Sequence, residues 1–269
     1  MSNLHVAGES LHVLDSGGGE AAVVFVHGNS LSAVSWEHQL EAPELSRWRR
    51  IALDLPGHGQ SAPSPEPETR YALPGYGVTL KSLVELFGLS RVVIVGHSMG
   101  GHIAMEVARE LPQLAGLCVL GAPPLRSPAD IARGFVDTPL IRFIGAGELS
   151  EAEAAEWARG MFGPNVEPPA WAAESILRVD PKARPSLGES LAQARMADEV
   201  AALEAMSPPA GLVHGELDDM VSLDYVRGLD APMWRGGVHV VDGAGHMPQW
   251  ERPAVFNALL RDYLEEIGW

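Results

Sequence analysis

One cysteine in 269 residues excludes an internal disulfide. Cys118 sits in the apolar run from Gly116 to Leu120, where a thiol behaves as a small core side chain rather than as a reagent. A chain with no disulfide to form suits a reducing compartment, and the cytoplasm is the expected location. Basic residues are also few: 19 Lys and Arg stand against 35 Asp and Glu, a net charge of −16. Such a surface repels nucleic-acid phosphate and anionic membrane, so neither is expected as a partner. No stretch approaches the ~18 consecutive apolar residues of a membrane span. The opening MSNLHVAGES has no basic segment followed by an apolar one, so no secretory leader is expected. Internal repeats and low-complexity tracts are missing too, and residues 63–67 are simply a Pro-rich loop.

What remains is a globular composition, 46% hydrophobic and 20% charged, with 29 Gly and 21 Pro that fit many loops. The length suits one α/β domain carrying an insertion. Short β-branched runs at 11–14, 23–26, 50–53, 92–95, 117–120, 211–213 and 238–241 predict strands. Several are apolar throughout, as in a sheet covered on both faces. Helical patterns at 71–87, 101–111 and 254–267 lie between or after them. The alternation predicts a mostly parallel sheet flanked by helices. Residues 123–208 break the pattern with short helical stretches separated by Pro and Gly. Among them, Ser150 and Glu153 make a capping-box pattern, followed by an apolar stripe of Ala154, Trp157, Ala158 and Met161. The expected organisation is a core of residues 1–122 and 209–269, with 123–208 inserted as a helical cap, or lid.

The chemistry begins at Gly96-His97-Ser98-Met99-Gly100, a G-x-S-x-G pentapeptide between a predicted strand and a predicted helix. Glycines on both sides of the serine relieve crowding where strand turns sharply into helix. The helix then aims free N–H groups at the site. A serine hydroxyl needs a base, and the base an orienting acid, both expected further along the chain. His246 is the predicted base: it follows a predicted strand and a Gly-rich loop, and precedes the last helix. His27 and His58 lie nearer the N-terminus, and His97 adjoins Ser98 too closely to serve. For the acid, the loop after Val213 offers Glu216, Asp218 and Asp219, and the spacing from Gly215 selects Asp218. An acid one strand earlier is a poor option, because no carboxylate follows Leu120 until Asp130. Two N–H donors are needed for the oxyanion. Met99, next after the nucleophile, supplies one. Asn29, in the His27-Gly28-Asn29-Ser30 loop after an early strand, supplies the other. Trp36, Trp157 and Met247 are candidate pocket-lining residues.

Taken together, His27-Gly28-Asn29, the stretch from Asp54 to Ser61, Gly96–Gly100, Gly215–Asp218 and Gly243–His246 resemble the α/β-hydrolase superfamily. Its fold and serine-hydrolase activity (esterase or lactonase) are what the resemblance implies. A finer resemblance, to metal-independent N-acyl-homoserine lactonases, rests on residues 27–30, 71–76, 121–124, 178–184 and 223–226. It implies an ester or lactone substrate with an acyl tail under the cap. The sequence departs from that family's example at three places. His97 stands for Trp, Asp218 for Glu and Trp157 for Tyr. Relatives that use an Asp nucleophile are set aside by Ser98. The sparse pair His97 and His102 does not make the histidine cluster of metal-dependent lactonases, so no metal and no cofactor are expected. A small-molecule substrate and a monomer or homodimer complete the expectation. Two alternatives use the same triad, a carbon–carbon bond hydrolase and a cofactor-free perhydrolase. The first would want a basic group in the cap, for which Arg126, Arg133, Arg142 and Arg178 are available. A non-catalytic ligand receptor is the minor alternative.

Overall fold

The computed structural model describes residues 2–269. Eight strands form one sheet: β1 (Ser2–Val6), β2 (Glu9–Asp15), β3 (Ala21–Val26), β4 (Arg49–Leu53), β5 (Arg91–His97), β6 (Leu114–Leu120), β7 (Gly211–Gly215) and β8 (His239–Val241). Their spatial order is β1-β2-β4-β3-β5-β6-β7-β8. The pairs β1/β2 and β2/β4 are antiparallel, and every later pair is parallel. Seven of the strands coincide with apolar runs in the sequence. β1 does not, because its residues show no long apolar run to read. It exists by pairing with β2 through the two-residue loop Ala7-Gly8, both at positive φ, the geometry that matches strand twist in a hairpin.

The unbroken apolar runs are explained by cover on both faces. Val24, Val26, Ile94 and Val119 belong to one buried cluster, and Val23, Phe25, Val95 and Leu120 to the other. Successive side chains point to opposite faces, so each run feeds two cores. On the first face pack α1 (Leu73–Leu86) and α2 (Met99–Val107). The second takes Phe256, Leu260 and Leu264 of the C-terminal helix, Pro253–Glu266.

Between β6 and β7 the chain forms no named strand among the described residues. It builds α3 (Glu151–Met161), α4 (Ala170–Arg178), α5 (Ala183–Ala192) and α6 (Glu199–Glu204). Ser150 and Glu153 close a capping box at the start of α3. The stripe Ala154, Trp157, Ala158 and Met161 is its buried face, with Trp157 stacked on Phe143 at 5.5 Å between ring centroids. No helix among the described residues is long and apolar enough to cross a membrane.

Candidate active site

Four loops meet at the carboxyl ends of the parallel strands. At the end of β5, Ser98 adopts φ 51° and ψ −120° and caps α2. Its backbone N–H donates to the Leu120 carbonyl at 2.8 Å, locking the turn to β6. A Cβ on Gly96 would strike the Gly100 carbonyl, and one on Gly100 would strike that of Val26. The glycines are therefore demanded by backbone on the facing side, which the pentapeptide alone does not reveal.

His246 lies beyond β8. Its Nδ1–H donates to Asp218 Oδ2 at 2.8 Å, and both side chains are buried. The other oxygen of Asp218 accepts the N–H groups of Met220 (2.9 Å) and Val221 (3.2 Å). Burial pushes the carboxyl of Asp218 up, but the imidazole beside it and these hydrogen bonds more than offset that, leaving it below its ordinary value. Burial disfavours protonated His246, yet Asp218 reverses the effect and holds the ring above its ordinary 6.5. Glu216 is engaged elsewhere, accepting from the Gly243 N–H, and Asp219 does not reach the ring. Ser98 and His246 line one cavity. Ser98 Oγ makes no hydrogen bond among the described residues, and such contacts in unliganded sites commonly tighten only when substrate binds.

The loop after β3 passes directly over the elbow. A Cβ at Gly28 would come within 2.8 Å of His97 Nδ1 and 3.2 Å of Ser98 Cβ. The side chain of Asn29 is occupied: its amide donates to the Ile144 carbonyl and its oxygen accepts from Ser30 Oγ. Arg184, buried within the insert, donates to Ser30 Oγ at 3.1 Å and to the carbonyls of Ile176, Ala146 and Gly147. Among the described residues the backbone N–H groups of Asn29 and Met99 have no partner in the backbone hydrogen-bond network. Both residues line the cavity.

The cavity holds about 610 Å³. Its walls are mostly apolar, drawn from the core (Leu31, Leu73, Met220) and from the insert (Phe135, Ile141, Trp157). Of the three candidate pocket residues, Trp157 lines this wall, whereas Trp36 and Met247 lie elsewhere. Trp36 packs on Phe25 (5.1 Å) and Phe256 (6.4 Å) in the second core, and Met247 is sealed in the first. An apolar residue near a motif carries no mark of which way it points. Neither residue lines the cavity.

Three contributors escaped the sequence reading. His97 does not touch Ser98 as a base, but its Nε2–H donates to the carbonyl of His246 at 2.8 Å. Burial lowers it to about 3, so it stays neutral. Glu251 holds the loop on the other side: one oxygen accepts the N–H groups of Gly245 (2.9 Å) and Met247 (3.2 Å), the other that of Gly163 in the insert (2.8 Å). His102 lines the cavity with its Nδ1 on Glu199. Each acts through a partner dozens of residues away, and spacing along the chain gives no trace of that. Among the described residues no group of three or more His, Cys, Asp or Glu could hold a metal ion.

Residues 23–259 match the family model described as the alpha/beta hydrolase family. The chain belongs to the alpha/beta hydrolase family. It is an enzyme of hydrolase type with the α/β-hydrolase fold. Its structure superposes with a TM-score of 0.93 on a mutant of the N-acyl homoserine lactonase AidH complexed with N-hexanoyl homoserine lactone. That pair shares 30% identity over 99% of this chain and 97% of the other. In sequence the chain is 28% identical, over 95% of its length and 91% of the relative's, to 2-hydroxy-6-oxononadienedioate/2-hydroxy-6-oxononatrienedioate hydrolase 2 of Pseudomonas putida. The esterase EaEST of Exiguobacterium antarcticum, at 18% identity, shares the fold with a TM-score of 0.78 over 98% of this chain and 99% of that one.

Proposed function

We propose that this hydrolase cleaves a carboxylic ester or lactone carrying an apolar acyl chain, through an acyl-enzyme on Ser98. N-acyl-homoserine lactones are among the candidate substrates, by likeness to AidH. The observation that carries the reading is the cavity wall. It contains no Lys, Arg, Asp or Glu. A carbon–carbon bond hydrolase acting on a dienedioate would bury carboxylates there, and a buried carboxylate needs a cation. The four arginines that could have met that need all point to solvent. Arg126 pairs with Glu204, Arg133 with Asp130 and Arg142 with Glu156, while Arg178 lies outside the cavity. An uncharged acyl chain fits the wall as it stands.

In this mechanism His246 Nε2 takes the Ser98 proton as Oγ bonds to the carbonyl carbon. The oxyanion is held by the N–H groups of Asn29 and Met99. The C–O bond to the alcohol breaks, and His246 returns the proton to that oxygen, which stays tethered when the substrate is a lactone. Water then repeats the sequence, its proton going to His246 and its oxygen to the acyl carbon, and Ser98 leaves with the proton. Asp218 holds the ring's tautomer and stabilises its cation. Residues 123–208 act as the cap over the acyl chain. We place the enzyme in the cytoplasm, as a monomer or homodimer meeting small molecules rather than nucleic acid or membrane. Its one thiol, Cys118, is buried and pushed up to about 12, hence inert.

The test is a panel of p-nitrophenyl esters, acyl-homoserine lactones and a vinylogous diketo diacid, with Ser98→Ala beside the wild type. Esters or lactones should turn over, and Ser98→Ala should lose roughly three or more orders of magnitude in kcat. Equal, slow hydrolysis by both proteins would sink the reading. Preference for the diacid would replace it with carbon–carbon cleavage.

A further inference from the structure

The cavity has a second histidine–carboxylate pair that the proposed mechanism does not use. His102 lies on α2 four residues after Ser98, which caps that helix, and both residues line the one cavity. Its Nδ1 lies 2.7 Å from Glu199 Oε1. Glu199 is fully buried, and its other oxygen accepts the Leu125 N–H at 2.8 Å, while its own N–H donates to the Leu125 carbonyl. A carboxylate only accepts, so the proton between the two sits on Nδ1. In the neutral imidazole the other ring nitrogen, Nε2, carries a lone pair. His12, His58, His97 and His214 each have a ring nitrogen that is sealed from solvent and unpartnered; His102 does not. Its Nε2 has no protein partner among the described residues, yet it meets open space. The open space beside this ring is the cavity, where Phe135 stands 6.0 Å away, centroid to centroid.

We propose that His102, oriented by Glu199, determines specificity by accepting a hydrogen bond from a hydroxyl group on the acyl chain of a substrate held at Ser98. This rests on the ester or lactone reading above. An acceptor set in an apolar wall discriminates well. A chain without the hydroxyl leaves Nε2 dry and unpaired, and a chain bearing a ketone presents lone pair to lone pair. A substrate lacking both is tolerated but not favoured.

The experiment compares kcat/KM for matched p-nitrophenyl esters whose acyl chains are plain, hydroxylated or oxo-substituted, with the substituent walked along the chain carbon by carbon. In the wild type one hydroxylated position should exceed its plain and oxo counterparts by roughly tenfold, mostly in KM. His102→Leu should bring the three chains within about twofold of one another. Glu199→Gln is nearly isosteric and guards against loss of folding. Its amide oxygen can keep the Leu125 N–H while its NH2 donates to Nδ1, moving the imidazole proton to Nε2. The hydroxyl-to-oxo ratio should then fall below the wild-type value and tilt towards the ketone. A purely structural pair would lower all three substrates alike. Equal Ser98-dependent turnover of all three chains by the wild type, or a wild-type preference for the ketone, would overturn the proposal and leave ester hydrolysis standing. Turnover that does not depend on Ser98 would instead overturn the reading beneath it.

Discussion

At Ser98 the backbone sits at φ 51°, ψ −120°, a region that costs a residue with a Cβ of order 1–3 kcal/mol. The strain is what lifts the hydroxyl above the strand ends. Two substitutions separate strain from chemistry. Ser98→Ala keeps the Cβ and its cost. Ser98→Gly removes both, so it should unfold at higher denaturant than Ser98→Ala, by about 1 kcal/mol, while both lack the proposed nucleophile. Equal midpoints in urea would show that the turn is not strained. Across the elbow, Gly100 has the opposite constraint. Its φ is ordinary, yet the Val26 carbonyl occupies the place a Cβ would take. Gly100→Ala should therefore destabilise by roughly 1–3 kcal/mol or more, as overpacking does, read as a lowered urea midpoint with an unchanged slope.

The elements around the site are tied by groups that lie far apart in sequence. Asp218 follows β7, His246 follows β8, and one hydrogen bond of 2.8 Å joins them. Because Asp218 raises His246, and the proposed base must be neutral to work, the acid limb of kcat/KM should lie above the ordinary imidazole value. Asp218→Asn removes the raising charge. The limb should move to lower pH even as kcat drops; a limb that stayed in place would mean that another group titrates there. Glu251 ties the same loop to the insert through the N–H groups of Gly245, Met247 and Gly163. Glu251→Ala leaves these buried donors without their acceptor, at about 1–3 kcal/mol for each left dry. The expected result is a lower urea midpoint together with a fall in kcat, whereas a variant of wild-type stability would show that water replaces the carboxylate.

On the scale of the whole molecule, the sheet buries neutral imidazoles as well as apolar runs. Burial lowers His27 to about 4 and His58 and His97 to about 3. Their folded values lie below the unfolded value of 6.5, so the unfolded chain binds more protons between them. Stability present above pH 6.5 is lost as the pH falls towards those folded values. His246 has the opposite sign, but it is one ring against three. The urea midpoint should thus fall markedly between about pH 7 and about pH 5. A midpoint that held constant would mean that these rings are hydrated in the folded state.

Order along the chain determined a good deal. The apolar runs of β2 to β8, the strand–helix alternation and the G-x-S-x-G turn are local patterns, readable because a β-branched run, a capping pair or a glycine constrains its own neighbourhood. The sequence also placed Ser98, Asp218 and His246 at the ends of β5, β7 and β8, which are not all neighbours in the chain but share one edge of a parallel sheet. Only the tertiary structure decided what faces that edge. It turned Trp157 into the cavity while sending Trp36 and Met247 into the cores, took Arg126, Arg133, Arg142 and Arg178 out to solvent, and set Glu251, Arg184 and Glu199 against loops that they do not adjoin. The reason is physical. Periodicity reports which side of an element is apolar, but a cavity wall and a core are equally apolar, and only the packing of one element on another leaves the first empty and fills the second.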